Sequence, residues 1–370
     1  MDDQTDSPDD YHAICLGTAA RARGIATRYV HGVYSRFHPF PSRWLDLTVG
    51  GRAYLFASGM LLVKGGDPWR GLGLHINEEA TLIIRDKQRA KSFLDARGFG
   101  TPAGRVFRRN DLSAALDAFG SFAGPVCVKP NQGTKGELVF PAIADRARYE
   151  RAVRRVAARH QKILVEESVT GQLIRFFFVR PRVVAVKLSR PASVVGDGSA
   201  TIARLIDLKN ARRDRRAVPG HSNIAVDDDL RDFLAMTGRG LDDVPAAAER
   251  VFLRGTSNGA TGADSLDCRA DLHPSYLDVL AAACNAVPGL NLTAVDVMIR
   301  DPAAPARHGN HWILEMNRNP GLTPYHFPWR GGAQDVSGAI LDALEQGFGP
   351  APASPPPPPM SVCPQRPPIE

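Results

Sequence analysis

Cysteine is sparse and scattered in this 370-residue chain: Cys15, Cys127, Cys268, Cys284 and Cys363 form no C-x-x-C pair and no metal-ligand spacing. They read as reduced thiols of a cytoplasmic protein. No apolar run approaches the roughly 20 residues of a membrane span, and the acidic opening MDDQTDSPDDY is not a signal peptide. A Walker A loop, G-x-x-x-x-G-K-[ST], is missing, and so is any internal repeat. Neither sign of charge dominates. The 46 basic against 39 acidic residues leave +7, a mild excess that suits nucleotides or nucleic acid and decides between neither.

What is present is globular. The length allows two or three lobes with cores of their own, and 44% hydrophobic against 23% charged residues argues against disorder over most of the chain. Residues 1 to about 10 are polar and expected to be mobile. From Tyr11 to about Leu74 a helical YHAICLGTAARARG precedes short strand-like pieces such as RAYLFAS, too irregular to name a fold. DKQRAKSFLDARG predicts a helix with Asp86 as N-cap, Ala90, Phe93 and Leu94 on one face, and Gly98 as terminator. AGRVF, GPVCVKP, LVFPAI and KILVEE read as strands, DLSAALDAF and DRARYERAVRRVAARH as helices, and NQGTKGE as a loop. LIRFFFV and RVVAVKLSR predict paired strands turning near Pro181. Residues from about 191 to 265, charged and glycine-rich, predict a mobile insertion. The helix LHPSYLDVLAAACNAV then leads to the strands LTAVDVMIR and WILEMN, and a proline-rich tail from Gly349 predicts disorder.

Chemistry concentrates where apolar strands carry single polar residues. Glu315 and Asn317 alternate to one face of WILEMN, roughly 7 Å apart, before Pro320-Gly321 turns the chain away. Asp296 sits mid-strand among apolar neighbours, an unfavourable place for a carboxylate unless it is paired or metal-bound. If 292–300 and 311–317 pair antiparallel, Asp296 approaches Glu315 and Asn317, and the oxygen set suits one or two divalent cations. The bland alternatives are a polar strand end facing water and a buried hydrogen-bond anchor. Lys129 precedes the loop NQGTKGE, in which Gly133 and Gly136 let the backbone approach phosphate oxygens, with Thr134 and Lys135 adding a hydroxyl and a charge. Many hairpins also carry two glycines. Lys87 opens a helix, where an anion would meet free N–H groups, or is simply solvated. ILVEESVTG either ends a strand or links two lobes, presenting backbone and Glu166 to an adenine edge. GTSNG at 255–259 satisfies G-x-S-x-G, yet ATGADSLD is a poor start for the helix that this hydrolase elbow requires. NARRDRR reads as a solvated helix end.

Taken in order, a lysine opening a helix, a lysine before a glycine loop, a VEE hinge, then Asp and E-x-N resemble the ATP-grasp ligases. RPASVVGDGSATIARLI is similar to the R-P-x-x-V-V-G-D-G-x-x-T-I-x-x-L-I signature of the ATP-grasp part of cyanophycin synthetase and the related N-acetylglutaminylglutamine synthetase. VFLRGTSNGATGADSLDCRADLHP is similar to their V-x-L-R-x-T-x-N-x-x-T-G-G segment, and LEMNRNPGLTPYH to their E-x-N-x-x-P-G-L end. The resemblance covers about residues 80 to 345. It implies an α+β ATP-grasp fold with two α/β lobes gripping ATP: a short N-terminal segment over 1–75, a first lobe over 76–168, a second over 169–348 with the insertion, and the tail over 349–370.

The implied activity is an ATP-dependent carboxylate–amine ligase that forms an amide through an acyl phosphate, releasing ADP and phosphate. By the same resemblance Asp296, Glu315 and Asn317 hold Mg²⁺ or Mn²⁺, and Lys87, Lys129, Gly133, Thr134, Lys135 and Gly136 contact ATP phosphates. Glu166, Glu167 and Val169 face adenine, Arg190 and Arg254 bind the carboxylate or acyl phosphate, and Asn258 joins them in the catalytic set, with Thr261 and Gly262 in its loop. The implied partners are a small-molecule carboxylate and amine, amino acids or peptides, with neither nucleic acid nor membrane, and the family's dimers and tetramers leave a homo-oligomer open. Three positions depart from the pattern. Leu173 stands at the ribose-binding acid, Glu137-Leu138 where a further glycine is usual, and Ala263 at the second glycine of T-G-G. Gln172 is then a candidate ribose contact, and a decayed nucleotide-binding regulatory protein is the alternative function.

Overall fold

Short apolar pieces after Tyr11 fold into one helix and an antiparallel meander. In the computed structural model, residues 10–30, 44–65, 73–133, 136–217 and 219–348 are described. The acidic start at 1–9, Thr134, Lys135 and the tail at 349–370 lie outside the described residues. Helix α1 (Tyr11–Ala22) is capped by Asp10, whose carboxylate accepts from the His12 and Ala13 amides. Strands β1 (Thr27–Val30), β2 (Trp44–Val49), β3 (Arg52–Ala57), β4 (Met60–Val63) and β5 (Leu74–His75) follow in simple order as one five-stranded sheet.

The next stretch builds a second sheet. Helices α2 (Glu78–Ile84) and α3 (Lys87–Asp95) lead to β6 (Gly104–Arg108), α4 (Leu112–Asp117), β7 (Val126–Pro130), β8 (Phe140–Ile143), α5 (Arg146–Arg159) and β9 (Lys162–Glu167). The antiparallel sheet runs β6-β9-β7-β8. Asp145 caps α5, and Tyr149, Ala152, Val153 and Val156 form its buried stripe at helical spacing. That stripe meets Val126, Val128, Ile163 and Val165. Strand alternation turns Cys127, Lys129 and Glu166 to the opposite face.

The third sheet carries the longest strands: β10 (Gln172–Val179), β11 (Arg182–Arg190), β12 (Ser193–Val195), α6 (Ile202–Arg216), α7 (Asp228–Met236), β13 (Arg250–Phe252), β14 (Asp264–Asp267), α8 (Ser275–Asn285), β15 (Leu292–Ile299), β16 (His311–Asn317), α9 (Thr323–His326) and α10 (Val336–Gln346) complete the chain. Its order is β14-β11-β10-β15-β16. One face, with Ile174, Phe176, Phe178, Val186, Val295 and Val297, packs under α8 and α2. The other, with Phe177, Val179, Ala185, Leu292 and Ala294, shares a core with α1, the meander and α10. Helix α1 and the meander are thus built onto this sheet through contacts with residues more than 100 positions away. The stretch expected to be a mobile insertion has a small core of its own, in which Ala192, Val194, Ile202, Ile206, Leu230, Leu234, Val251 and Leu253 are buried together.

Between the second and third sheets the chain passes Gly171, whose φ is +151°. A Cβ placed there would lie 2.3 Å from the Ile299 carbonyl oxygen. Gly171→Ala is therefore expected to lower stability by roughly 1–3 kcal/mol, the usual range for a strained backbone position, measured by urea denaturation. A variant as stable as the parent would show that the connection relaxes freely.

Candidate active site

Register decides which polar side chains meet. Strands β15 and β16 pair antiparallel, with Asp296 opposite Glu315 and Ala294 opposite Asn317, across a bulge next to Asp296. The expected approach of Asp296 to Glu315 and Asn317 is what this pairing produces, and Asn317 Nδ2 lies 3.3 Å from Asp296 Oδ2. On the far side of Asp296 stands Arg175, its partner in the β10–β15 register. The guanidinium chelates the carboxylate, Nε to Oδ1 at 2.5 Å and Nη2 to Oδ2 at 2.6 Å. Arg175 was not singled out in the sequence, although it is the lone charge in LIRFFFV and so carried the same signal as Asp296.

Helix α3 and strand β7 face this row with lysines. Lys87 Nζ sits 3.1 Å from Glu315 Oε2 and donates to the Gly133 carbonyl at 3.2 Å, joining the glycine loop to the carboxylate strand. The N-terminus of α3 does not keep free N–H groups for an anion, as expected of it. Its Lys87 and Gln88 amides donate to the Asn131 backbone and side-chain oxygens, and its Arg89 amide to Asp86. Lys87 offers its side chain instead. Behind it, Glu166 lies buried between two ammonium groups: Lys129 at 2.5 Å and Lys91, in direct contact with the other carboxylate oxygen. This corrects the expectation that Glu166 faces an adenine edge, since its carboxylate is spent as a buried counter-ion. Lys91 was missed because one lysine among the polar residues of DKQRAKSFLDARG looks solvated. Glu167 and Val169 follow half-buried at the link, the Glu167 amide bonded to the Ala103 carbonyl. Gly136 has φ +69°, a left-handed turn suited to a loop that exposes backbone amides.

Three expected residues make the following contacts elsewhere in the fold. Alternation places Arg190 with Leu188 on the opposite face of β11 from Ala185. Arg190 pairs in register with Asp264, so the expected contact to a substrate carboxylate beside Asp296 is not supported by its position. Arg254 donates to Asp227 at 2.6 Å and to the Ala225 carbonyl, inside the insertion. Asn258 accepts from the Ala260 amide and shapes the turn before Gly262, which forms no strand-to-helix elbow. Gln172 likewise points away from Leu173 by alternation. Leu173 is opposite Met298, and Met298 opposite Trp312, so a half-buried apolar row continues the face of Arg175 and Asp296.

Electrostatics show what the site lacks. Burial drives Asp296 above the ordinary carboxylate range; Arg175 opposes this, and neighbouring Glu315 adds to it. Burial also pushes on Glu315, but the charges of Lys87, then Lys129 and Arg175, overcome it and hold Glu315 at about 2. Two carboxylates and an amide oxygen so placed fit a hard divalent cation, which would relieve the crowding at Asp296. Among the described residues no group of three or more His, Cys, Asp or Glu side chains could hold a metal. A pair of carboxylates completed by phosphate oxygens is the arrangement Mg²⁺ favours.

The depressed Glu315 gives a pH prediction. Its contribution to stability is complete above its ordinary value of 4.5 and is lost as pH falls toward about 2. Glu315→Gln is expected to flatten this acid limb, read as a smaller drop in urea midpoint between about pH 5 and pH 3 in EDTA. An unchanged limb would place the acid sensitivity elsewhere.

No family model matches the chain. Over 270 residues it is 30% identical to the glutathione biosynthesis bifunctional protein GshAB of Clostridium perfringens, covering 71% of this chain and 34% of that protein. Over 269 residues it is 32% identical to cyanophycin synthetase of Synechocystis sp., covering 70% and 30%. The crystal structure of a bifunctional glutathione synthetase from Pasteurella multocida matches 91% of the chain with a TM-score of 0.62 and 24% identity, over 44% of its own length. The fold is that of the ATP-grasp superfamily. The chain spans about a third of the length of the curated relatives it matches. No helix among the described residues is long and apolar enough to cross a membrane.

Proposed function

We propose that this ATP-grasp chain is an ATP-dependent carboxylate–amine ligase acting on amino acids or peptides. The observation that carries the reading is the meeting of Asp296 and Glu315, on adjacent strands of one sheet, with Lys87 at the start of helix α3. Asp296, Glu315 and Asn317 would hold Mg²⁺, which supplies neutralisation of charge on a transferring phosphoryl group. Lys87 and Lys129 would take phosphate oxygens, with Gly133 and Gly136 leaving room for the backbone to approach them. Glu166 fixes where the Lys129 ammonium sits, and Arg175 fixes the Asp296 carboxylate, so the charges are arranged before substrate arrives. The half-buried Leu173–Met298–Trp312 row offers the base an apolar face.

In this reading a substrate carboxylate oxygen attacks the γ-phosphorus of ATP, forming a P–O bond as the bond to the β–γ bridging oxygen breaks and ADP leaves. The amine nitrogen then attacks the acyl carbon. A C–N bond forms, the C–O bond to phosphate breaks, and the nitrogen gives up a proton. Lysine and arginine charges serve the first step by meeting negative charge as it spreads over the phosphoryl oxygens.

The test is incubation of the whole protein with Mg-ATP and pairwise mixtures of amino acids and dipeptides, with ADP followed by coupled assay and products by mass spectrometry. Amine-dependent ADP with a condensed product is the expected result. Nucleotide binding with no turnover across the panel would favour the regulatory alternative, for which Leu173 at the ribose position is the specific ground.

A further inference from the structure

A line of charge crosses the whole third sheet. Asp267 is registered with Lys187, Lys187 with Arg175, Arg175 with Asp296, and Asp296 with Glu315. All five therefore stand on one face, roughly 5 Å apart from strand to strand. Arg175 is matched to Asp296 and Glu315 to Lys87. Asp267 turns away, accepting from the Arg269 amide at 3.0 Å and the Gly332 amide at 3.2 Å. Among the described residues Lys187 is left with no carboxylate in contact. Its Nζ donates to Ser189 Oγ at 3.0 Å and Ser265 Oγ at 3.3 Å, and the residue is only 7% exposed.

An ammonium group has three donors, and two neutral hydroxyls leave one donor and the whole charge unanswered. Holding such a group out of water is unfavourable, and burial, helped by neighbouring Arg175, draws Lys187 down to about 7. An anion would reverse that. Each serine can also turn its hydroxyl to donate, so the three groups together suit a planar carboxylate. Two strand spacings, roughly 10 Å, separate Lys187 from Asp296. The reacting carboxylate must lie beside the phosphoryl group near Asp296, so only a second acidic group, several bonds further on, reaches Lys187.

We propose that Lys187, Ser189 and Ser265 form a subsite for a non-reacting carboxylate of the substrate, and so select substrates that carry one. The inference rests on the ligase reading above. The carboxylate can belong to the amine, as in a free amino acid, or to the activated acid, as in a dicarboxylate.

One arm of the test needs no turnover. The whole protein, with Mg²⁺ and a non-hydrolysable ATP analogue, is labelled with trace acetic anhydride. Acetylation of Lys187 and of the exposed reference Lys162 is read by peptide mass spectrometry, with and without malonate or a pool of free L-amino acids. Saturating ligand is expected to slow labelling of Lys187 by about fivefold or more and leave Lys162 unchanged. The Ser189→Ala, Ser265→Ala double variant should lose that protection. If neither malonate nor the pool protects Lys187, or if Lys187 is never labelled, the subsite is wrong whatever the protein catalyses. Protection in a protein that never releases ADP would keep the subsite and remove the ligase.

The second arm assigns the source. Lys187→Met is expected to raise KM by about tenfold or more for the substrate that bears the carboxylate, with Lys187→Arg recovering part of the loss. Converting that carboxylate to an amide should cost the wild type a similar factor and the variant little. Equal KM for acid and amide forms of both substrates in the wild type would overturn the proposal.

Discussion

Glu315→Ala is expected to lower ADP release by roughly a thousandfold or more, because several kcal/mol of charge stabilisation at a transferring phosphoryl group corresponds to about three decades in rate. Glu315 is the more informative of the two carboxylates. Asp296 is buried and chelated by Arg175, so its removal would break a bidentate pair between neighbouring strands and confuse folding with catalysis. Glu315 keeps 29% of its side chain exposed and Lys87 retains the Gly133 carbonyl as a partner, so the variant loses the share of stability held in the ion pair and should still fold. The comparison is made at saturating Mg-ATP on the best substrate pair found, with stability checked by urea denaturation. Retention of more than about a tenth of the activity would show that Glu315 does not face the reaction. The regulatory alternative makes the opposite forecast, since a protein that only binds partners should keep doing so without Glu315.

The carboxylates of this site were legible for a simple reason. A lone acid in TAVDVMIR or WILEMN contradicts the apolar pattern around it, and such a contradiction marks either function or a specific partner. Arg175 in LIRFFFV carried the same mark and deserved the same reading. Lys91 and Glu166 did not. A lysine on a polar-looking helix is ordinary until α3 is packed against β9, 75 residues away, and no local pattern encodes that packing. Lys187 and Arg190 show the use of alternation once strand register is known. They are three residues apart in RVVAVKLSR, so only one of them can share a face with Arg175, and the sequence signature pointed to the other. The meander was hard to name for the same physical reason: strands such as WLDLTV and RAYLFA bury their faces on Phe177, Leu292 and α10, contributed from far along the chain. Elements with strong local signals, such as the Asp86-capped α3 and the LIRFFFV–RVVAVKLSR pair, needed no such help.

Glu166→Leu is expected to destabilise the protein by roughly 3–5 kcal/mol, the range for removing one partner of a buried ion pair. Against a total stability of about 5–15 kcal/mol this is a large share. Glu166 and Lys91 side chains are each 3% exposed and that of Lys129 is 8%, so the two ammonium groups cannot turn to water once their shared carboxylate is gone. They would also repel each other. A second substitution separates this from simple loss of packing. Lys91→Met added to Glu166→Leu removes one uncompensated charge and should recover much of the loss, as apolar replacements of buried pairs do. Both are measured by urea denaturation at neutral pH. A loss below about 1 kcal/mol would mean that the lysines shed protons or relax outward and that Glu166 does not organise them. The site adds one further condition. If Lys129 is a phosphate contact, Mg-ATP should stabilise Glu166→Leu, which has lost the carboxylate in contact with that lysine, by more than it stabilises the parent, through the linkage between binding and folding. A smaller gain in the variant would separate the buried triad from nucleotide binding and leave it a purely structural link between α3 and the second sheet.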